Sequence, residues 1–264
     1  MTIALTFIYL IAVFGFLVAA LVYWVSRRRE IRDCSRFAWG VVGGYCVLLV
    51  PLVFAAEGVR WVFAFALPID AARTFLFTAV GVSCCAAAGV AAFPLVRPGL
   101  GSGEAALRRS PAAPILWGVL LAGTWSVYTL FLFHATNPVL SDAARNLFGS
   151  FDITASMAVA VLAVSVAAIG EELMFRLGIQ NYIARIFGWW DQRYWLAILL
   201  SAALWSLGHA GTLEPDWVKI AQVFPAGLAL GWLARKHGIE ACILSHVVFN
   251  TGAFWMAEAG VLPV

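Results

Sequence analysis

Residues 3–25 read IALTFIYLIAVFGFLVAALVYWV, 23 positions without a charged side chain. A run of this length leaves few structural options. Roughly 20 apolar residues cross the ~30 Å of hydrocarbon in a bilayer as a helix, and lipid offers no partners for backbone N–H and C=O groups, so they must be satisfied within the segment. Comparable runs follow at about 37–56, 74–96, 113–135, 153–175, 195–211, 217–234 and 239–257. The expected fold is therefore all-α: a polytopic transmembrane helical bundle of about eight spans. The stretch VRWVFAFALPIDAAR (59–73), with Pro68, Asp70 and two arginines, suits an interfacial or re-entrant piece better than a ninth span. Composition agrees, with 63% hydrophobic and 12% charged residues and a mean hydropathy of +0.91, against about a quarter charged in soluble domains.

The breaks between runs carry the charge. Lys plus Arg number five in 27–36, two in 57–73, three in 97–111, one in 136–151, two in 185–193, one in 212–219 and two in 234–238. That alternation puts the odd-numbered breaks on the cytoplasmic side, and eight spans then leave both termini outside. A net charge of +3 gathered in short loops gives no case for a nucleic-acid partner. The first run lacks a basic start, exceeds a signal-peptide apolar region and ends in Arg27, Arg28 and Arg29, so it is expected to stay as a span. The five cysteines, Cys34, Cys46, Cys84, Cys85 and Cys242, form no CxxC pair and read as small core residues.

Organisation follows from the longest polar stretch. RPGLGSGEAALRRSPAAP begins at Arg97 and divides an N-terminal group of three spans (1–96) from a C-terminal group of five (113–264), with 97–112 as linker. No internal repeat of the inverted-transporter kind is visible. Gly227 and Gly231 in GLALG are one turn apart and read as a close helix-packing site.

Ionisable residues at membrane depth are costly and make a functional site the default hypothesis. Here they cluster in the C-terminal group: Glu171, Glu172 and Arg176 late in the fifth span, His209 at the end of the sixth, and His246 and Asn250 in the eighth. His134, near the end of the fourth, is ambiguous. Glu172 and Arg176 are four apart and share a helix face, so the arginine can hold a carboxylate ionised. Glu171 points about 100° away from Glu172, which allows one carboxylate to be anchored while the other does chemistry. His246 with Asn250, and Trp205 with His209, repeat the four-residue spacing. Singly, each group reads as a buried polar residue satisfied by a neighbouring helix. Together they supply a base, a second proton-handling group and oxyanion donors, the parts needed to hydrolyse an amide with water.

EELMFR (171–176), WSLGH (205–209) and HVVFN (246–250) resemble, in order, the EExxxR, FxxxH and HxxxN motifs of the CPBP family. These are the CAAX-protease and bacteriocin-processing intramembrane proteases, also known as the Abi family, that include the Rce1-like prenyl-protein endopeptidases. The resemblance covers about 113–257 and implies a peptidase of the glutamic type. The resemblance further implies cleavage near the C-terminus of a membrane-associated polypeptide, with a prenylated or C-terminally anchored chain as the expected kind of substrate. Glu171, helped by His209, would activate a water, His246 and Asn250 would donate to the oxyanion, and Glu172 with Arg176 would support, Glu172 remaining the alternative base. Trp205 replaces the usual Phe, an aromatic for an aromatic, expected to reshape the pocket without touching the chemistry.

No cofactor is expected. Two histidines and a carboxylate also form a zinc ligand set, but there is no HExxH helix. Rival readings are a transporter or proton relay and a non-catalytic immunity or scaffold relative. The expected partners are a polypeptide substrate and the bilayer, and the expected location is the inner (plasma) membrane of a prokaryotic cell, as a multi-pass protein. The first three spans are expected to form an added substrate-docking module. One tension stands: His246 falls about 10 Å inside the eighth helix, whereas His209 falls late in the sixth, nearer the opposite face.

Overall fold

The computed structural model describes residues 2–26, 43–45, 47, 112–142, 144–145, 157–189 and 192–262. The spans expected at 37–56 and 74–96 lie largely outside them, as do the 59–73 stretch, the 97–112 linker, Cys34, Cys46, Cys84 and Cys85. The described helices are α1 (Thr2–Ser26), α2 (Ala112–Thr136), α3 (Met157–Glu172), α4 (Asn181–Ile186), α5 (Tyr194–Leu207), α6 (Asp216–His237) and α7 (Ile239–Glu258). A π-helical segment, Leu173–Gln180, joins α3 to α4 without a break.

Three of these helices, α2, α6 and α7, are long and apolar enough to cross a membrane. Their outer faces and that of α1 carry exposed large apolar side chains, among them Phe14, Val22, Leu116, Val127, Phe131, Trp232 and Trp255. Contiguous apolar exposure of this kind suits lipid, so the chain is a helical integral membrane protein. The expected count of eight spans is not reproduced among the described residues. The sixth departs most: α5 has 14 residues, about 21 Å of helix, and ends at Leu207 rather than running to 211. Beyond it the chain turns back through Gly211, at φ 82°, a conformation glycine adopts without cost. His209 therefore sits in the turn after α5 and not in the last turn of a full-length span.

The main packing contacts join α5 to α6, α2 to α7 and α3 to α7. Trp125, Phe175, Ile179, Trp205, Leu230, Leu233 and Phe249 form the shared core. Close approach depends on small residues. A methyl group on Gly118 would come within 2.9 Å of the Ala241 carbonyl, one on Gly231 within 2.7 Å of Ile198 Cγ2, and one on Gly227 within 3.1 Å of the Trp205 indole. The GLALG reading as a packing site therefore holds. Pro225 lies inside α6 and cannot donate to the carbonyl four residues earlier. That carbonyl, on Ala221, accepts instead from the Tyr128 hydroxyl of α2 at 2.9 Å.

One feature departs from an all-α fold. Val139–Leu140 pairs antiparallel with Leu213–Glu214, a two-residue ladder that ties the end of α2 to the turn after α5. Ser141 reinforces it, its hydroxyl donating to Gly211 O at 2.6 Å.

Candidate active site

The π segment sets the geometry of the carboxylates. Its widened turns free carbonyls that α-helical bonding would use, and side chains take them up: Ser201 Oγ donates to Phe175 O at 2.9 Å and Asn181 Nδ2 to Leu177 O at 3.0 Å. Gln180 Nε2 donates to Gly231 O and to the Tyr194 hydroxyl, each at 3.1 Å, and that hydroxyl donates to Asn181 Oδ1 at 2.6 Å. These bonds lock the segment against α5 and α6. Single π turns occur frequently at functional sites, and this one starts directly after Glu172.

Glu171 and Glu172 part as their spacing implies. Glu172 is fully buried. Its Oε1 accepts from His246 Nδ1 of α7 at 2.7 Å and lies 3.4 Å from Arg176 Nη1. Arg176 in turn stacks its guanidinium 4.1 Å over the Trp205 ring, a cation–π contact that keeps the arginine in place without a second carboxylate. Glu171 has a side chain 32% exposed. Its Oε2 accepts from Trp205 Nε1 at 2.5 Å and stands 3.9 Å from His209 Nε2. Of the two carboxylates, only that of Glu171 is partly open.

The tautomer of His209 follows from its partner. Its Nδ1 faces the Trp205 carbonyl at 2.9 Å, and a carbonyl only accepts, so Nδ1 carries the proton. In the neutral ring Nε2 is then a lone pair aimed toward Glu171 Oε2. The turn holding the ring is braced on both sides: Thr212 Oγ1 donates to His209 O at 2.8 Å and Gly211 N to Asp216 Oδ1 at 2.9 Å. His246 has Nδ1 committed to Glu172 and is itself buried. Its ring packs against Trp205 at 5.4 Å and Trp125 at 5.6 Å, and Trp125 is stacked on Phe249 at 3.6 Å.

Five of the six residues expected from sequence thus meet around Trp205. Asn250 stands apart: its Nδ2 donates to Val164 O at 3.5 Å, on α3 about 10 Å before Glu171. His134 is exposed in the last turn of α2, away from the cluster. The expectation for Trp205 is corrected, because its indole N–H bonds the Glu171 carboxylate, which a Phe ring cannot do. Lys219 of α6 was missed. It donates to Gln222 Oε1 at 2.8 Å and lies within electrostatic reach of Glu171 and His209; its place as the sole Lys or Arg of the short 212–219 break is the signal that could have found it. Among the described residues no group of three or more His, Cys, Asp and Glu side chains is arranged to hold a metal ion. Cys242 is buried, its thiol donating to Leu230 O at 3.0 Å, as a core cysteine would.

A helical membrane protein with a carboxylate–imidazole centre shared by α3, the turn after α5 and α7 is the class that fold and site define. Residues 153–252 match the family model of Rce1-like proteins, described as type II CAAX prenyl endopeptidase Rce1-like. The matched segment holds all six expected site residues, in agreement with the CAAX-protease resemblance read from the motifs, and the matched family is one of proteases. No curated protein and no solved structure matches the chain.

Proposed function

We propose that the protein is an intramembrane endopeptidase that cleaves near the C-terminus of a membrane-associated polypeptide by direct attack of water. One observation carries this reading: Glu171 Oε2 and Nε2 of His209, a lone pair when the ring is neutral, face each other 3.9 Å apart at the partly open side of the centre. Two acceptors at that distance repel unless a proton donor lies between them, and a water fits that role with both of its protons directed at bases.

In this reading Glu171, oriented by Trp205, takes one proton from the water as its oxygen adds to the peptide carbonyl. His209 accepts the other hydrogen bond and holds the attack angle. In this reading His246 carries both ring protons, Nδ1–H donating to Glu172 and Nε2–H to the oxyanion, with the Asn250 amide as second donor after a rotation away from Val164. Glu171 then returns its proton to the leaving amine as the C–N bond breaks, so that the enzyme ends unchanged. Glu172 and Arg176 form the buried anchor that fixes His246. No cofactor enters this scheme. A prenylated CaaX chain is the first substrate to test, because the matched family is described by it.

The test uses proteoliposomes of the full chain and a farnesylated CaaX reporter peptide, beside proteomics of membranes carrying wild type or Glu171→Gln. New C-termini present only with the wild type are expected. A Glu171→Gln variant as active as wild type sinks the role assignment.

A further inference from the structure

Glu171 and His209 are each preceded by glycine, Gly170 and Gly208. At both glycines a tyrosine of the N-terminal group occupies the space a side chain would fill. A methyl group on Gly208 would lie 2.8 Å from Tyr9 Oη and 2.9 Å from its Cζ, and one on Gly170 would overlap the Tyr45 hydroxyl. Tyr45 is 2% exposed, and Tyr9 packs on the shared core with Phe16.

The contact belongs to a wider seam. α1 packs against α5, and its Phe16 and Tyr23 meet Tyr182 of α4 edge-on at 5.2 and 5.5 Å. The Tyr182 hydroxyl donates to Ala19 O at 3.4 Å. So α1 is fixed along the outside of α4 and α5, with Tyr9 reaching the turn that carries His209. The Tyr9 phenol is also near enough to Glu171 to interact with its charge. Its O–H lies against the turn that carries His209, whose ring faces the Glu171 carboxylate held by Trp205.

We propose that Tyr9 is a positioning residue of the centre, its hydroxyl seated on Gly208 next to His209, and that α1 thereby helps complete the active site and is not solely part of a separate docking module. Tyr45 on Gly170 is its counterpart behind Glu171. The two glycines are required because any side chain there would displace the phenols. This deepens the endopeptidase reading and rests on it for the catalytic meaning, but the placement of Tyr9 against Glu171 can be tested without turnover.

The experiment follows modification of Glu171 by N,N′-dicyclohexylcarbodiimide across the neutral pH range, by mass spectrometry of the full chain in proteoliposomes. Tyr9→Phe removes one oxygen and keeps the ring. It is expected to move the pH midpoint of Glu171 labelling and to lower kcat on the farnesylated reporter about tenfold with little change in KM, while the unfolding temperature stays at the wild-type value. Gly208→Ala should reproduce the labelling shift by pushing the phenol away, and adding Tyr9→Phe to it should change labelling no further. A labelling profile identical in Tyr9→Phe and wild type overturns the proposal, as do independent, additive shifts in the double variant. Should Gly208→Ala fail to fold, Tyr9→Phe alone still decides. A shifted profile in a protein whose wild type cleaves no reporter supports the placement of Tyr9 and counts against the endopeptidase reading only.

Discussion

Trp205 Nε1 lies 2.5 Å from Glu171 Oε2, which makes the indole a structural link between the carboxylate on α3 and the histidine turn after α5. The same side chain stacks under Arg176 and edges against His209 and His246. A hydrogen bond to a charged group contributes about 1.5–3 kcal/mol. Trp205→Phe keeps the ring contacts and removes only the donor, so turnover of the farnesylated reporter should fall about tenfold to a hundredfold. Wild-type turnover in this variant would show that Glu171 needs no such anchor.

The two glutamates should separate cleanly when substituted. Glu172, fully buried between His246 and Arg176, is an anchor. Removing one partner of such a group costs about 3–5 kcal/mol because the other charge is left unpaired. Arg176→Ala is expected to lower the unfolding temperature and the yield of folded protein, whereas Glu171→Gln should lose turnover and unfold like wild type. Equal destabilisation by both would contradict the division of labour.

Asn250 tests the oxyanion assignment. Loss of one oxyanion donor costs about 10²–10³ in kcat, and Asn250→Ala should show that loss with KM near the wild-type value. If KM rises and kcat holds, the amide binds substrate instead, in keeping with its place beside Val164.

Gly231 lies where α6 meets both α5 and the π segment. A methyl group there would stand 2.7 Å from Gln180 Oε1 and from Ile198 Cγ2, and overpacking of this sort costs about 1–3 kcal/mol. Gly231→Ala should lower the unfolding temperature and, through Gln180, loosen the π segment, read as faster hydrogen exchange at 173–180. Unchanged exchange there would place the strain elsewhere.

Chelation addresses the zinc alternative. Turnover is expected to survive prolonged treatment with 1,10-phenanthroline, and metal analysis of active protein should find zinc well below one per chain. Reversible loss of activity restored by zinc would replace the glutamic mechanism with a metal-assisted one.

The long uncharged runs determined by themselves that this chain is helical and lies in a membrane, since lipid permits little else. Motif spacing likewise anticipated the side-chain geometry: Glu172 and Arg176, four apart, do pair, and Glu171 does point elsewhere. Tertiary structure decided what spacing could not express. That α5 stops at Leu207 depends on a turn braced locally by Asp216 and Thr212 and tied by the strand pair at 139–140 and 213–214 to a segment far away in sequence. The π turn after Glu172 depends on donors from Ser201 and Asn181, and the role of Trp205 on which atom of its indole faces a neighbouring helix. Periodicity reports which residues share a face of one helix; which partner that face meets is settled only when the helices pack.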